Sequence, residues 1–256
     1  MAGSGPEFSA YHQDLTWMTP LSEARADRLV RFLADPAPAT VLDVGCGWAE
    51  LLLRVLAASP SSQGRGADLD RVAIEHARSE AERRGLASRV ELTETDAREL
   101  AGPRDAVLCI GSSQVWGPPV EDSQPLDYAA ALAALRALVP RGGRVVYGEG
   151  IWSRPPTPAA VAPLAGRDDE FVRLSELLGL VADAGFMPVQ VHEAGVDEWD
   201  EFESGYAARY ARWLADHGPE HPDADEVRAR AARQRAAYFD GYRGVLGMAY
   251  LCLVAI

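Results

Sequence analysis

Two rhythms of apolar residues alternate along the chain. Short continuous apolar runs give way repeatedly to stretches in which apolar residues return every third or fourth position. The first pattern predicts buried strands and the second amphipathic helices. A helix over EARADRLVRFLA places Leu29, Val30 and Leu33 at helical spacing, with Ser22 positioned to cap it and Pro36 and Pro38 to end it. Residues 41–44 read as a strand, 48–58 as a helix and 64–69 as a second strand. Asp70 is placed to cap the next helix, which Gly85 stops. RVELTETD alternates as a strand. DAVLCIG is nearly continuous in apolar residues, as expected at the buried centre of a parallel sheet. A helix over 126–138, a VPRGG turn and the strand RVVYGEG follow. Strands alternating with helices predict parallel βαβ units, and right-handed crossovers then give a doubly wound α/β sheet.

The second half departs from this pattern. A proline-rich loop over 153–169 is longer than the usual connection in such a fold. A helix over 175–184 and a strand over 186–193 come next. Two polar, aromatic-bearing helices, about 198–217 and 223–241, precede the closing strand MAYLCLVAI. In the first of them Trp199, Phe202, Tyr206, Tyr210 and Trp213 recur at steps of three and four, which makes one aromatic face. That face either packs on the core or lines an apolar pocket.

Composition narrows the possible functions. The chain has 256 residues, 48% apolar and 25% charged, which suits one domain with a cap. Its formal net charge of −13 disfavours nucleic acid and anionic membranes as partners. No apolar run is long enough to cross a bilayer, and MAGSGPEFSAYHQ lacks the pattern of a secretory signal. Cys46, Cys109 and Cys252 lie far apart and make no metal-binding spacing. Together these features predict a cytoplasmic protein that binds no metal, and they leave its oligomeric state open.

The chemistry concentrates at VLDVGCGWAE, residues 41–50. An apolar run ends in Asp43, Gly45 and Gly47 follow, and a helix begins, which is how a strand turns into a helix around a small ligand. A nicotinamide dinucleotide requires a third glycine where the chain has Glu50, and a carboxylate there would repel the pyrophosphate. S-adenosylmethionine carries a sulfonium, an ammonium and a carboxylate but no phosphate, so acidic residues near the turn favour it. VLDVGCGWA resembles the first motif of the class I S-adenosylmethionine-dependent methyltransferases, acidic-x-Gly-x-Gly-x-Gly, with Ala49 in place of the third glycine. LVPRGGRVVY resembles the turn before the fifth strand of that family.

The resemblance covers residues 40–150 well and implies a mostly parallel, seven-stranded Rossmann-like sheet with an antiparallel last strand and a helical cap insertion at about 197–241. It implies that Asp68 holds the ribose hydroxyls, that Asp96 accepts from the adenine amino group and that Ala97 offers its N–H to the ring. Asp43, Gly45, Cys46, Gly47, Leu69, Ile110 and Gly111 complete the expected cofactor set. CIGSS, residues 109–113, corresponds to the loop that faces donor and acceptor.

Methylation of a small organic acceptor on O, N or C is the activity this implies, with S-adenosylhomocysteine as the product. The lid and aromatic cap are similar to those of methyltransferases of bacterial secondary metabolism. Residues 1–20 are expected to form a flexible lid and 21–256 the catalytic domain. His12 and Glu149 are the candidates for acid–base work. Tyr11, Trp17, Gln114, Trp116, Trp199 and Tyr206 are the candidates to line the acceptor pocket. For each, a packing or surface role competes with the functional one. The alternative is a protein that binds S-adenosylmethionine as a sensor or scaffold without turnover.

Overall fold

A computed structural model describes residues 6–100, 102–117 and 125–256. Its strands are β1 (Thr40–Val44), β2 (Gln63–Asp68), β3 (Val90–Glu94), β4 (Ala106–Ile110), β5 (Arg144–Trp152), β6 (Phe186–Glu193) and β7 (Leu246–Ala255). They form one seven-stranded sheet in the order β3-β2-β1-β4-β5-β7-β6. Pairings among β1 to β5 are parallel, and β7 runs antiparallel to both β5 and β6. The strand order reverses between β1 and β4, so the connections leaving these two strands diverge and open a crevice at their C-terminal ends.

Side chains alternate across the sheet and feed two apolar layers. Val41, Ala106 and Leu108 join one layer with helices α1 (Glu23–Ala34), α2 (Glu50–Ala58) and α3 (Arg71–Arg83). Leu42, Val44, Val107 and Cys109 join the other with α4 (Tyr128–Ala137) and, beyond the one-turn helix α5 (Pro158–Val161), α6 (Leu174–Asp183). The cap inserted between β6 and β7 consists of α7 (Val196–His217) and α8 (Ala224–Ala236).

The caps read from the sequence form. Ser22 accepts from the Arg25 N–H at the start of α1, and Asp70 accepts from the Val72 and Ala73 N–H groups at the start of α3. Several boundaries differ from the sequence reading, most of them by one or two residues. Helix α2 begins at Glu50 rather than Trp48, because Ala49 takes a left-handed conformation (φ 57°) that a helix cannot continue through. The proline-rich loop contains α5, which Thr157 caps and Pro158 opens. Strand β7 starts at Leu246, because pairing with Trp152 at the end of β5 extends it. The register shift between Pro188 and Gln190 in β6 falls at a residue with no N–H to give to β7.

Candidate functional site

The turn after β1 fixes the site. Gly45 (φ 63°), Gly47 (φ 52°) and Ala49 all have positive φ. A Cβ on Gly45 would sit 2.1 Å from the Ser112 Oγ, so the Ser112 side chain of the loop after β4 packs directly on the bare backbone of the turn. A Cβ on Gly47 would meet nothing within 4 Å and would project into open space. The third glycine of the sequence motif thus marks a left-handed position, which here holds a strained alanine at a cost of about 1–2 kcal/mol.

Asp68 at the end of β2 braces this turn. Its Oδ2 accepts from the Gly47 N–H at 2.7 Å and its Oδ1 from the Asp70 N–H at 2.9 Å. A carboxylate offers about four acceptor sites, so two stay free on the open side. Asp43, at the end of β1, is 7% exposed and accepts no hydrogen bond from the described residues. Burial, with Asp68 as a lesser contribution, pushes its carboxyl well above the usual range. Asp96 follows β3 and caps the short turn Ala97–Glu99. Arg98 clasps it through both carboxylate oxygens and holds it below the usual range.

These three carboxylates border one cleft. Its wide part, about 500 Å³, is lined by Asp68, Leu69, Asp96, Ala97, Gly111 and Gln114 among others. Its narrow part, about 90 Å³, is lined by Asp43, Cys46 and Trp48 from the turn and by Thr16 and Trp17 from the N-terminal segment. Met18, Gly45, Gly47 and Ile110 border both parts. The size falls within the range of small-ligand sites. Leu69 is 72% exposed over the wide part and offers an apolar face with no protein partner. The ten residues expected to hold a cofactor all border this cleft.

The other expectations are divided by the structure. Trp17 and Gln114 line the cleft, but neither acid–base candidate does. The Glu149 carboxylate is buried and accepts from the Ser113 N–H at 3.1 Å and the Gly150 N–H at 2.9 Å. Burial raises its pKa, and its contacts fasten the loop after β4 to β5. His12 stacks on His76 of α3, with centroids 3.8 Å apart and planes 8° apart. It borders a separate cavity of about 290 Å³ with Tyr11, Asp70 and Arg209.

Tyr11 stacks on Tyr206 of α7 at 4.8 Å and donates to its hydroxyl at 2.9 Å. Trp116 packs against the apolar layer under α4 and α6. Trp199 is buried edge-on to Phe202 and Tyr242. The described part of the expected lid, residues 6–20, is thus packed between the glycine turn and α7. The Trp48 Nε1 donates to the Thr16 carbonyl at 2.9 Å, and the Thr19 and Tyr250 hydroxyls meet at 2.8 Å.

Glu50 does not present a bare carboxylate at the turn. It accepts from Arg54 at 2.7 Å, one turn along α2, and from Arg84 at 2.5 Å beyond α3. Its place at the first position of α2 lets a long side chain reach both guanidinium groups. Met18, Thr16 and Arg98 line the site and were not singled out, whereas Ser112 lies in the CIGSS loop expected there. Met18 lies in a lead-in without periodicity, and Arg98 matters only because it turns back on Asp96. Among the described residues no helix is long and apolar enough to cross a membrane, and no group of three or more His, Cys, Asp or Glu is placed to hold a metal ion.

Comparison with known proteins agrees with this geometry. Residues 41–143 match a family model described as a methyltransferase domain. Over 240 residues, 92% of each chain, the sequence is 26% identical to the uncharacterized protein YjhP of Escherichia coli (strain K12). Among solved structures it is similar to a SAM-dependent methyltransferase from Thiobacillus denitrificans in complex with S-adenosyl-L-homocysteine, with a TM-score of 0.81, 28% identity and 96% of each chain covered. A SAM-dependent methyltransferase from Geobacter sulfurreducens, in complex with the same molecule, matches with a TM-score of 0.81, 25% identity and 96% of each chain covered. With the strand order, the glycine turn and its carboxylates, these likenesses mark residues 41–143 as a methyltransferase domain and are consistent with a class I SAM-dependent methyltransferase.

Proposed function

We propose that the chain methylates a small organic acceptor, with S-adenosylmethionine held in the cleft at the C-terminal ends of β1 to β4. The observation that carries this reading is Asp43, a buried carboxylate with no partner among the described residues. A buried charge is tolerated only when it is paired or neutralised, and an ammonium or sulfonium ligand would pair it. The open space over Gly47 leaves room for a ligand to lie directly on the backbone.

The residues divide the work. The two free acceptor sites of Asp68 receive the ribose hydroxyls, while the Gly47 and Asp70 N–H groups hold that carboxylate in place. Leu69 covers one face of the adenine. Asp96 and the Ala97 N–H meet the edge of the ring, with the Arg98 guanidinium giving way. When bound, the cofactor supplies an electrophilic methyl group on a sulfonium, already activated for in-line attack. Alignment is therefore the main contribution of the protein, worth roughly 7–11 kcal/mol in favourable cases. Ile110, Gly111 and Gln114 form the wall along which an acceptor is aligned. Glu149 acts at one remove by fixing the Ser113 backbone.

Calorimetric titration of Asp68→Ala and Asp68→Asn with S-adenosylmethionine tests the assignment. Charge-assisted bonds of roughly 1.5–3 kcal/mol predict about a ten- to hundredfold loss of affinity in Asp68→Ala. Asp68→Asn also weakens binding, because its amide cannot accept from both N–H groups. Unchanged affinity in both variants would remove Asp68 from the site.

A further inference from the structure

The narrow part of the cleft, about 90 Å³, is bordered by two kinds of unanswered polar group. One is Asp43, 7% exposed and without a hydrogen bond from the described residues. The other is the first turn of α2. Its N-cap is Ala49, whose side chain cannot accept, and the Glu50, Leu51 and Leu52 N–H groups donate to no described residue. Glu50 and Leu51 line the narrow part with Asp43. A bare carboxylate and a turn of free N–H donors around one small space suit a zwitterion.

Glu50 is the obstacle to such a ligand. A carboxylate in the first turn of a helix is itself drawn to the free N–H groups there. In the structure it is engaged elsewhere. Arg84, just past the end of α3, donates to both of its oxygens, from Nη1 to Oε1 at 3.1 Å and from Nη2 to Oε2 at 2.5 Å. Arg54 donates to Oε1 alone, at 2.7 Å. It is also shared with Glu23 and with the Trp17 ring, whose centroid is 4.4 Å from its guanidinium carbon. Among the described residues Arg84 is therefore the one partner of Oε2. Glu80, one turn back along α3, accepts from the same guanidinium at 3.0 Å and steadies it. Arg84 borders neither part of the cleft, so any influence it has there passes through Glu50.

We propose that Arg84 is a positioning residue for the methyl donor. By holding Glu50 toward α3 it leaves the first turn of α2 open to the carboxylate of the donor's amino-acid end, whose ammonium faces Asp43. This rests on the methyltransferase reading above. The effect is local, so it acts on a ligand that has an amino-acid end and not on one that lacks it.

Calorimetric titration of the intact chain with S-adenosylhomocysteine and with methylthioadenosine is the test. The second probe keeps the nucleoside and the sulfur but has no amino-acid end. Arg84→Met keeps an unbranched stem and removes the guanidinium, which releases the Glu50 Oε2. It is expected to weaken S-adenosylhomocysteine binding about two- to fivefold and to leave methylthioadenosine binding unchanged, so the ratio of the two affinities falls. Adding Glu50→Gln removes the competing charge and restores the ratio. A purely structural role for Arg84 would weaken both probes alike. Glu50→Gln alone is expected to keep the ratio, and a fall there would mean that Glu50 itself serves the ligand, which overturns the proposal. An unchanged ratio in Arg84→Met, or a lowered ratio that Glu50→Gln does not restore, also overturns it while the cofactor site stands. Failure of S-adenosylhomocysteine to bind the unmodified chain would instead defeat the methyltransferase reading and, with it, this proposal.

Discussion

The glycine turn separates stability from binding in a way that two neighbouring substitutions can resolve. Gly45 and Gly47 both adopt positive φ, so alanine at either position bears a left-handed strain of about 1–2 kcal/mol, partly offset by a stiffer unfolded chain. Their surroundings differ. A Cβ on Gly45 would lie 2.1 Å from the Ser112 Oγ and 2.7 Å from its Cβ, which forces the loop after β4 outward. Overpacking of this kind costs about 1–3 kcal/mol more. A Cβ on Gly47 meets no protein atom within 4 Å and enters the cleft itself. Gly45→Ala should therefore unfold at a lower urea concentration than Gly47→Ala, by an amount equivalent to about 1–3 kcal/mol. Gly47→Ala should fold nearly normally but bind S-adenosylmethionine about five- to 140-fold more weakly, the same overpacking now falling on the ligand. Urea denaturation and calorimetric titration read the two effects separately. Undiminished affinity in Gly47→Ala, or equal stability of the two variants, would refute the reasoning.

Two further outcomes follow from local geometry. Ala49→Gly relieves the left-handed strain at the start of α2 at the expense of unfolded-chain entropy, for a net gain of up to about 1 kcal/mol, read as a rise of about 2–4 °C in Tm. Burial and then His76 hold the His12 pKa below 6.5, with Asp70 opposing, so the folded state disfavours its protonation. Its contribution to stability is complete above pH 6.5 and is lost as the pH falls through the lowered folded value. Urea midpoints measured from pH 7.5 down to about 5 should show this decline, and His12→Gln should flatten it.

The strand-and-helix rhythm made the sheet legible because both of its faces are buried, so β4 is apolar throughout and β1 from Val41 to Val44 except for Asp43. The cleft at the strand ends was legible for a related reason. Its residues sit at the ends of strands and in one turn, where backbone geometry restricts the choice of side chain. What the sequence concealed depends on side-chain direction across long separations. His12 looked like a free base until the structure paired it with His76. Glu149 looked like a carboxylate at the mouth of the site, yet two backbone N–H groups turn it inward. The aromatic face of α7 is real, but it is divided along its length. Trp199 enters the core, Tyr206 receives Tyr11, and Tyr210 and Trp213 pack with Val227 of α8. Periodicity identifies a face but not the neighbours to which each turn of that face is presented.

The same distinction applies to charge. A net charge of −13 says little about where a cation would bind, because most acids near the site are already engaged. Arg54 and Arg84 engage Glu50, Arg98 engages Asp96, Arg25 engages Glu198 and Arg243 engages Asp200. Each such pair cancels much of its own field at a distance. Asp43, buried at the end of β1, pairs with no arginine among the described residues. Low-dielectric walls focus the field of unpaired charge into the cleft it borders. Where a cationic ligand would bind is therefore set less by how acidic the chain is than by where its arginines leave an acid unanswered.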